Sequence, residues 1–187
     1  MNDNLLVIIP CAGIGNRFSS QVEKQHISLG DLSVIETTLS TFMMFKPASK
    51  IVVVVKDPES FKNKISIKLD ERFSFVSGGN SRSESVLNGI RSENIEKYDY
   101  LMTHDGVRPF IDIDFLENIY KSILDSDYDC VFYGIKPKDS IKSLEEGSCK
   151  MVERDDFILV QTPQICEFKK LEEALEELIS KGIYPTD

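Results

Sequence analysis

Apolar residues occur along this chain in two patterns, short unbroken runs and longer stretches with a helical period. The runs LLVII (5–9), IVVVV (51–55) and FSFV (73–76) predict buried strands, and YDYLMTH (98–104) and CVFYGI (130–135) predict two more. The unbroken apolar character of IVVVV is typical of a sheet covered on both faces. The short runs therefore predict the strands of a buried sheet.

The longer stretches place their apolar side chains on one helical face. Residues 34–45, 113–124 and 168–179 have this spacing. SESVLNGI (83–90) predicts a further helix, with Ser83 as its N-cap residue. Because strands and helices alternate, we expect a single α/β domain over residues 1–187 with a mostly parallel sheet. Ligands of such folds bind at the carboxyl ends of the strands.

Segment 136–156 interrupts this alternation because it is polar, charged and weakly patterned. It follows a predicted strand and precedes QTPQ (161–164), which we expect to form a turn. The segment could be an exposed loop or a β-arm that reaches out of the domain. Cys130, in contrast, lies in an apolar run and is predicted to be a core residue.

Composition and charge argue against several classes of protein. The 187 residues are 41% hydrophobic and 28% charged, which is ordinary for a globular domain. The formal net charge of −9 argues against a nucleic-acid-binding surface. No apolar stretch approaches the roughly 18 to 20 residues of a membrane span. The N-terminal MNDN has no basic residue and the four cysteines lack metal-binding spacing, so we expect a cytoplasmic protein with reduced thiols.

The first predicted strand leads into a cationic, glycine-containing loop, CAGIGNR (11–17). Glycines let backbone N–H groups approach a phosphate closely. Gly13 and Gly15 match the first pair of the dinucleotide-binding motif G-x-G-x-x-G, but the third glycine is missing and the P-loop pattern is absent. Arg17 and Lys24 supply two cations, which suit a triphosphate. The alternative is a tight turn with two solvated basic residues.

A second glycine pair follows the predicted strand at 73–76. Gly78 and Gly79 could bring the backbone against a flat base or a ribose, and Arg82 and Ser85 could form hydrogen bonds to it. The same residues are also typical of a turn that leads into a helix N-terminus. This motif alone therefore does not predict a ligand.

The third polar cluster, THDGVRPF (103–110), places Asp105 three residues before Arg108. Asp105 could hold a sugar hydroxyl or lie near a metal ion, and Arg108 could clamp a phosphate. A local ion pair at the end of a strand is the alternative. Because all three clusters directly follow strands of a parallel sheet, they converge on one edge of that sheet. Their convergence favours a nucleotide site.

Several segments, taken together and in order, resemble one enzyme family. They run from residue 10 to residue 164 and read PCAGIGNRF, EKQHISLG, SGGNSRSESVLNGI, HDGVRPF, KDSIK, VERDDF and QTPQ. This combination resembles the 2-C-methyl-D-erythritol 4-phosphate cytidylyltransferases of non-mevalonate isoprenoid biosynthesis and their close relatives, the ribitol-5-phosphate cytidylyltransferases. The resemblance implies a three-layer, Rossmann-like fold of the nucleotidyltransferase type with a protruding β-arm. It also implies transfer of CMP from CTP to a polyol phosphate, with release of pyrophosphate.

The resemblance further implies roles for individual residues. The α-phosphorus transition state would be stabilised by Arg17 and Lys24. The nucleotide would be bound by Ala12, Gly13, Gly15, Asn16, Gly79, Asn80, Arg82, Ser85 and Asp105. The polyol phosphate would be bound by Asp105, Arg108, Ser140, Arg154, Thr162 and Thr186.

Cofactor and assembly are also implied by the resemblance. Mg²⁺ would be held mainly by the CTP phosphates, with no dedicated protein metal site. The arm at 136–156 would cross to a second subunit, so Arg154 would serve the partner's site in a homodimer. A phosphate monoester, with a second pKa of about 6, arrives ionised and needs no strong general base. We therefore expect His26 and His104 to have structural roles.

Three functions remain open at this point, and two of them are cytidylyltransferases that differ in their acceptor. Val107 leans toward the pentitol enzymes, whereas Lys142 leans toward the methylerythritol enzymes. The third possibility is a nucleotide-binding dimerisation module with impaired catalysis. Members of the family continue beyond residue 187, and Thr186 and Asp187 look like the first residues of an acceptor-site motif. We therefore expect reduced or absent turnover for this chain, with nucleotide binding kept.

Overall fold

A six-stranded sheet lies at the centre of the computed structural model, which describes residues 4–13 and 23–185. In chain order the elements are β1 (Leu5–Pro10), β2 (Ser28–Leu29), β3 (Leu32–Ser33), α1 (Val34–Met44), β4 (Ala48–Val55), α2 (Pro58–Lys64), β5 (Phe73–Ser77), α3 (Arg82–Arg91), β6 (Tyr100–Thr103), α4 (Ile113–Leu124), β7 (Cys130–Ile135), β8 (Lys142–Glu145), β9 (Ser148–Met151), β10 (Leu159–Glu167) and α5 (Phe168–Ser180). Short 3₁₀ turns occupy Lys24–His26, Ile95–Lys97 and Arg154–Asp156.

The strand order of the sheet is β5-β4-β1-β6-β10-β7. Strands β5, β4, β1 and β6 pair in parallel, whereas β10 runs antiparallel to both of its neighbours, β6 and β7. The carboxyl ends of the parallel strands therefore lie on one edge of the sheet. This arrangement confirms the predicted α/β fold with a mostly parallel sheet.

Helices cover both faces of the sheet, and the side chains of β1 alternate between the two faces. Val7 packs in a cluster with residues of α1, α2 and α4, whereas Leu6 and Ile8 pack with residues of α3 and α5. Every side chain from Leu5 to Ile9 is completely buried. Burial on both faces explains why the central strands are unbroken apolar runs.

The structure corrects the predicted start of α3. The N-cap residue is Ser81, whose Oγ accepts a hydrogen bond from the Glu84 N–H at 3.1 Å. The Glu84 carboxylate in turn accepts from the Ser81 N–H at 3.0 Å, which completes a capping box. Ser83 lies inside the helix, so the prediction that it caps α3 was wrong. The motif Ser81-x-x-Glu84 carries this signal in the sequence.

The QTPQ segment lies within β10 and does not form the predicted turn. A proline donates no backbone hydrogen bond, so it disfavours a central strand. Pro163 is accommodated because pairing of β10 with β7 is interrupted between Val160 and Gln164, and pairing with β6 begins only at Gln164. Strand β10 and helix α2 were both missed by the sequence prediction.

The arm predicted at 136–156 contains an exposed β-hairpin. Strands β8 and β9 pair antiparallel, from Lys142 opposite Met151 to Glu145 opposite Ser148. The turn between them contains Gly147, whose φ of +75° favours glycine. The predicted β-arm is therefore present.

Cys130 is exposed, so its predicted place in the core was wrong. It begins β7, which among the described strands pairs with β10 alone and forms one edge of the central sheet. An apolar run at such an edge is covered less completely than the same run in the middle of the sheet.

Candidate nucleotide site

The three polar clusters of the sequence meet around one open cavity of about 910 Å³ at the carboxyl ends of the parallel strands. This volume lies in the range expected for a small-molecule site. The cavity is lined by Pro10, Cys11, Ala12, Gly13, Lys24, Gln25, Lys56, Gly78, Gly79, Asn80, Ser81, Arg82, Ser85, Asp105 and Val107. The structure thus brings Ala12, Gly13, Lys24, Gly79, Asn80, Arg82, Ser85 and Asp105 together as expected.

Close packing of the two glycine-containing loops forms one wall of the cavity. A Cβ atom added to Gly78 would lie 2.4 Å from the Ala12 Cβ and 2.9 Å from the Ser85 Oγ, so position 78 requires glycine. Among the described residues, a Cβ atom added to Gly13 would meet nothing within 4 Å. Gly78 therefore joins the loops, while no described atom lies against the Cβ position of Gly13.

The N-terminus of α3 opens into the cavity and is held by its own side chains. The Ser85 Oγ donates to the Ser81 carbonyl at 2.8 Å and accepts from the Gly79 N–H at 3.1 Å. The Glu84 carboxylate accepts from the Asn80 N–H at 2.8 Å. These hydrogen bonds give the second glycine loop a defined shape. Direct contact between Ser85 and a ligand stays a prediction.

Asp105 lies between two guanidinium groups. Its Oδ1 accepts from the Arg82 Nε at 3.1 Å, and its Oδ2 accepts from the Arg108 Nε at 3.1 Å. Arg108 also donates from Nη1 to the Gln161 Oε1 at 2.6 Å. The local ion pair considered for Asp105 and Arg108 is therefore present, and it links the second and third clusters to β10. Arg108 borders the cavity through this network without being among its lining residues.

The cavity lining is cationic although the chain as a whole is acidic. Lys24, Lys56 and Arg82 contribute positive charges, and Asp105 is the acidic residue of the lining. Lys56 was missed by the sequence analysis. It directly follows β4, just as the recognised clusters follow their strands, so its position held the same signal.

Lys24 begins a 3₁₀ turn that is fixed to the domain by its neighbours. Gln25 is buried, and the His26 ring packs against Phe61 with the ring centroids 5.1 Å apart. The Glu23 carboxylate accepts from the Lys64 Nζ at 3.0 Å. Burial is the main cause that lowers the pKa of His26, followed by the positive charge of Lys64. His26 therefore supports this turn, in agreement with its expected structural role.

Two buried groups at the cavity, Cys11 in its lining and His104 behind Asp105, are held in their neutral forms. Burial, followed by the charges of Glu23 and Asp105, raises the pKa of the Cys11 thiol to about 12. Burial lowers the pKa of His104 to about 4. The His104 Nε2 lies 3.0 Å from the Arg108 carbonyl oxygen, and its Nδ1 lies 3.2 Å from the Thr162 Oγ1. This geometry confirms that His104 forms local hydrogen bonds.

The remaining predicted residues lie away from the cavity or outside the described residues. Ser140 and Arg154 are exposed in the arm, where the Arg154 Nη1 donates to the Lys138 carbonyl at 2.9 Å. Thr162 is buried and contacts the cavity residues through Asp105, whose N–H donates to the Thr162 Oγ1 at 3.4 Å. The structure does not describe Gly15, Asn16, Arg17 and Thr186.

A second cavity, of about 490 Å³, lies at the opposite edge of the sheet. Its lining includes Asp99, Asp129, Glu167 and Lys170. Lys170 forms ion pairs with Asp129 and with Glu167. Acidic side chains outnumber basic ones in this lining, where Asp99, Asp127, Asp129 and Glu167 face Lys169 and Lys170. Because an anionic nucleotide favours a positive surface, we place the candidate nucleotide site in the larger, cationic cavity.

No helix at 4–13 or 23–185 is both long and apolar enough to cross a membrane. Over the same ranges, no group of three or more histidine, cysteine, aspartate or glutamate side chains could hold a metal ion.

Comparison with known proteins gives a consistent result. Residues 5–187 match the family model described as "IspD: 2-C-methyl-D-erythritol 4-phosphate cytidylyltransferase". The curated protein of that name from Clostridium beijerinckii is 32% identical over 188 residues, which cover 96% of this chain and 80% of the relative. The one from Pseudoalteromonas translucida is 28% identical over 183 residues, which cover 98% of this chain and 75% of the relative.

Solved structures agree with the sequence relatives. The crystal structure of 4-diphosphocytidyl-2C-methyl-D-erythritol synthase from Anaerococcus prevotii has a TM-score of 0.84 and 26% identity, and the match covers 100% of this chain and 81% of that one. The Francisella tularensis 2-C-methyl-D-erythritol 4-phosphate cytidylyltransferase has a TM-score of 0.81 at 26% identity, covering 96% of this chain and 80% of that one. The chain belongs to the 2-C-methyl-D-erythritol 4-phosphate cytidylyltransferase family of CTP-dependent nucleotidyltransferases.

Proposed function

We propose that the cationic cavity binds CTP and transfers its cytidylyl group to 2-C-methyl-D-erythritol 4-phosphate. The main support for this proposal is that three loops at strand ends converge on one cavity. Lys24, Lys56 and Arg82 make that cavity cationic, although the chain as a whole is acidic. A phosphate oxygen of the acceptor attacks the α-phosphorus of CTP. The bond from that phosphorus to the bridging β-phosphate oxygen breaks, and pyrophosphate leaves.

In our proposal, the enzyme accelerates the reaction by positioning the two substrates and by stabilising negative charge with cationic side chains. Negative charge on the phosphate chain is stabilised by Lys24 and Lys56, and Arg17 adds to them. The acceptor phosphate is ionised near neutral pH, since its second pKa is about 6. The neutral, buried His104 is not needed as a general base.

Backbone groups and short polar side chains bind the nucleotide in this proposal. The triphosphate lies along Ala12 and Gly13, continuing to Gly15 and Asn16, because glycine lets the backbone approach a phosphate closely. The base and ribose lie against Gly79 and Asn80, at the N-terminus of α3. Asp105, with both oxygens held by guanidinium groups, orients ribose and acceptor rather than transferring a proton.

Mg²⁺ enters this reaction with CTP. Phosphate oxygens and water are the hard ligands that Mg²⁺ prefers. Asp105 is the carboxylate in the cavity lining, and both of its oxygens accept hydrogen bonds from arginine side chains. Because the oxygens of Asp105 are already engaged by arginine side chains, the cavity fits an ion that would be coordinated mainly by the triphosphate.

The exposed arm suggests a homodimer. Leu144 and Met151 are 84% and 83% exposed, and the register of β8 and β9 places them on the same face of the hairpin. Apolar side chains grouped in this way mark an interaction surface. We propose that the arm packs on a second copy and carries Ser140 and Arg154 toward the partner's acceptor site. The four free cysteines fit a cytoplasmic enzyme.

Pyrophosphate release tests the proposed reaction. The assay combines this chain, CTP and Mg²⁺ with methylerythritol 4-phosphate, with ribitol 5-phosphate in parallel. We expect release with the first acceptor and a loss of about 10²- to 10³-fold in kcat for Lys24→Ala. Lys62→Ala is the matched control, because Lys62 is a half-exposed lysine that pairs with Glu59 outside the cavity.

Two outcomes would overturn the proposal. Release with ribitol 5-phosphate alone would change the acceptor. CTP binding without release for either acceptor would indicate a binding module.

A further inference from the structure

His104 is a buried histidine on the acceptor side of the site, and the proposed reaction does not use it as an acid or a base. It directly follows β6 and is 1% exposed. Its two ring nitrogens contact two separate segments, the loop after β6 through Arg108 and strand β10 through Thr162. Both Arg108 and Thr162 are expected to bind the acceptor.

The direction of each hydrogen bond follows from the chemistry of the partners. The Arg108 carbonyl can only accept, so the His104 Nε2 carries the hydrogen and donates at 3.0 Å. In the neutral ring Nδ1 then has a lone pair and accepts from the Thr162 Oγ1–H at 3.2 Å. The Thr162 oxygen is left to accept from the Asp105 N–H at 3.4 Å. One ring therefore sets the direction of a chain of three hydrogen bonds.

Neighbouring groups keep the ring neutral and fixed. The Phe42 ring lies against it with the ring centroids 5.3 Å apart. Burial is the largest influence on its pKa and lowers it, as do the positive charges of Arg108 and Arg82, whereas the Arg108 carbonyl and Asp105 raise it. A protonated ring would carry a hydrogen on Nδ1 and could no longer accept from Thr162.

The loop after β6 is also anchored from helix α1. The Thr38 Oγ1 lies 3.0 Å from the Gly106 carbonyl oxygen, and the Thr41 Oγ1 lies 3.4 Å from that of Ile111. The loop is linked to β10 by His104 and by the Asp105 N–H, which both contact Thr162, and by the Arg108–Gln161 contact. His104 supplies the buried part of that link.

We propose that His104 is a positioning residue for the acceptor: its Nε2–H tautomer fixes Thr162 relative to Asp105 and Arg108. This inference rests on the proposed function, because it assigns the acceptor to these residues. Loss of the link should then impair acceptor use far more than CTP binding, because the proposed CTP contacts other than Asp105 lie on the glycine loops and at Lys24 and Lys56.

Two substitutions separate the two hydrogen bonds. His104→Asn keeps an acceptor near the position of Nδ1 and loses the donor to Arg108. His104→Gln keeps a donor near the position of Nε2 and loses the acceptor for Thr162. We expect each to raise KM for methylerythritol 4-phosphate or lower kcat by about 10-fold, which corresponds to one lost hydrogen bond of about 1.4 kcal/mol. The Kd for CTP should change by less than about 2-fold.

A double-mutant cycle gives the sharper readout. Thr162→Val removes the hydroxyl and should impair turnover in the wild type and in His104→Asn. In His104→Gln the acceptor for that hydroxyl is already gone, so Thr162→Val should add much less. Thr162→Ser keeps the hydroxyl and should therefore retain most of the wild-type activity. The proposal would be overturned if Thr162→Val had equal effects in the His104→Asn and His104→Gln backgrounds. It would also be overturned if the His104 substitutions impaired CTP binding and acceptor use equally.

Nitrogen-15 NMR of the histidine rings tests the same inference without turnover. His26 and His104 are the two histidines of the chain, and His104→Gln assigns the signals. We expect the neutral Nε2–H form of His104 at pH 6. An Nδ1–H tautomer or a charged ring would overturn the inference. Absence of pyrophosphate release by the wild type, with this tautomer observed, would instead count against the proposed function.

Discussion

The centre of the sheet and its arm contain similar apolar residues in opposite environments. Leu6 in β1 is completely buried between β4, β6 and the helices of one face. Leu144 in the hairpin is 84% exposed, and Met151 beside it is 83% exposed. The same side-chain chemistry therefore serves two purposes. In the sheet it stabilises the subunit, whereas in the arm it is available to another molecule.

Charges differ between the two regions in the same way. Glu36 in α1 is buried, and its carboxylate accepts from the Ser33 N–H at 2.8 Å and from the Ser66 N–H at 2.6 Å. In the arm, Glu145 forms an exposed ion pair with Lys150 at 2.8 Å. A buried charge must be fully hydrogen-bonded, whereas an exposed pair contributes little to stability.

The largest expected effect comes from matched leucine truncations. Leu6→Ala leaves a cavity in a close-packed core and should lower the free energy of unfolding by about 2 to 5 kcal/mol. Leu144→Ala removes the same atoms from an exposed site and should change it by less than about 0.5 kcal/mol. Urea unfolding followed by circular dichroism measures both. Equal losses would mean that the hairpin is part of the subunit core.

The second effect is the pH dependence contributed by Glu36. Burial alone would raise the pKa of this carboxyl, but hydrogen bonds from Ser33 and Ser66 outweigh it and lower the pKa to about 2. Because the folded pKa lies below the unfolded value of about 4.3, the stabilisation is complete above that value and is lost as the pH falls toward 2. It amounts to about 3 kcal/mol at neutral pH.

Glu36→Gln tests this linkage. The Gln amide would place a donor against backbone N–H groups, so we expect a loss of about 2 to 3 kcal/mol at pH 7. The difference from the wild type should shrink as the pH is lowered from 5 to 3. Glu145→Gln, its counterpart in the arm, should change stability by less than about 0.5 kcal/mol. If Glu36→Gln lowered the free energy of unfolding equally at every pH, Glu36 would not be the source of the expected pH dependence.

The sequence predicted the centre of the molecule better than its edge, for a physical reason. Strands β1 and β4 are covered on both faces, so their apolar runs report burial directly. Whether the run at Cys130 is buried depends on which strands lie beside it. That information comes from the topology, and the prediction for Cys130 was wrong. Strand β10 was missed because Pro163 is tolerated only at an interruption of pairing.

The site shows the same division between local and non-local information. Glycine loops and charged residues that follow strands were visible in the sequence, and they do converge. The hydrogen bond between His104 and Thr162 joins residues that are 58 positions apart, so no local pattern could predict it, whereas Arg108 is only four positions from His104. Lys56 was overlooked as a single cation, although its place after β4 is equivalent.

The third prediction concerns assembly through the arm. If Leu144 and Met151 pack on a second copy, the double substitution Leu144→Asp/Met151→Asp should weaken dimerisation by at least about 10-fold, since it buries two charges in an apolar interface. The free energy of unfolding of the subunit should stay within about 1 kcal/mol. Sedimentation velocity across a concentration series measures the dimer. Lys62→Asp is the control, because it makes the net charge more negative by the same amount at a site outside the arm. An unchanged dimer would place the interface elsewhere.

The smallest effect is a difference in cysteine reactivity, which compares the two regions within one protein. Cys11 belongs to the cavity lining but is only 6% exposed, and burial is the main cause that raises its pKa to about 12, so almost none of it is the reactive thiolate at pH 8. Cys149 is exposed on the hairpin. A disulfide reagent should therefore modify Cys149 in the folded protein and Cys11 only after unfolding. The variants Cys11→Ser and Cys149→Ser identify the two signals.

If the arm contacts a second copy, Cys149 should react a few-fold faster in the Leu144→Asp/Met151→Asp variant than in the wild type. Equal rates would mean that the surface around Cys149 stays open to solvent in the wild-type assembly, and fast labelling of Cys11 would contradict its close packing in the cavity lining.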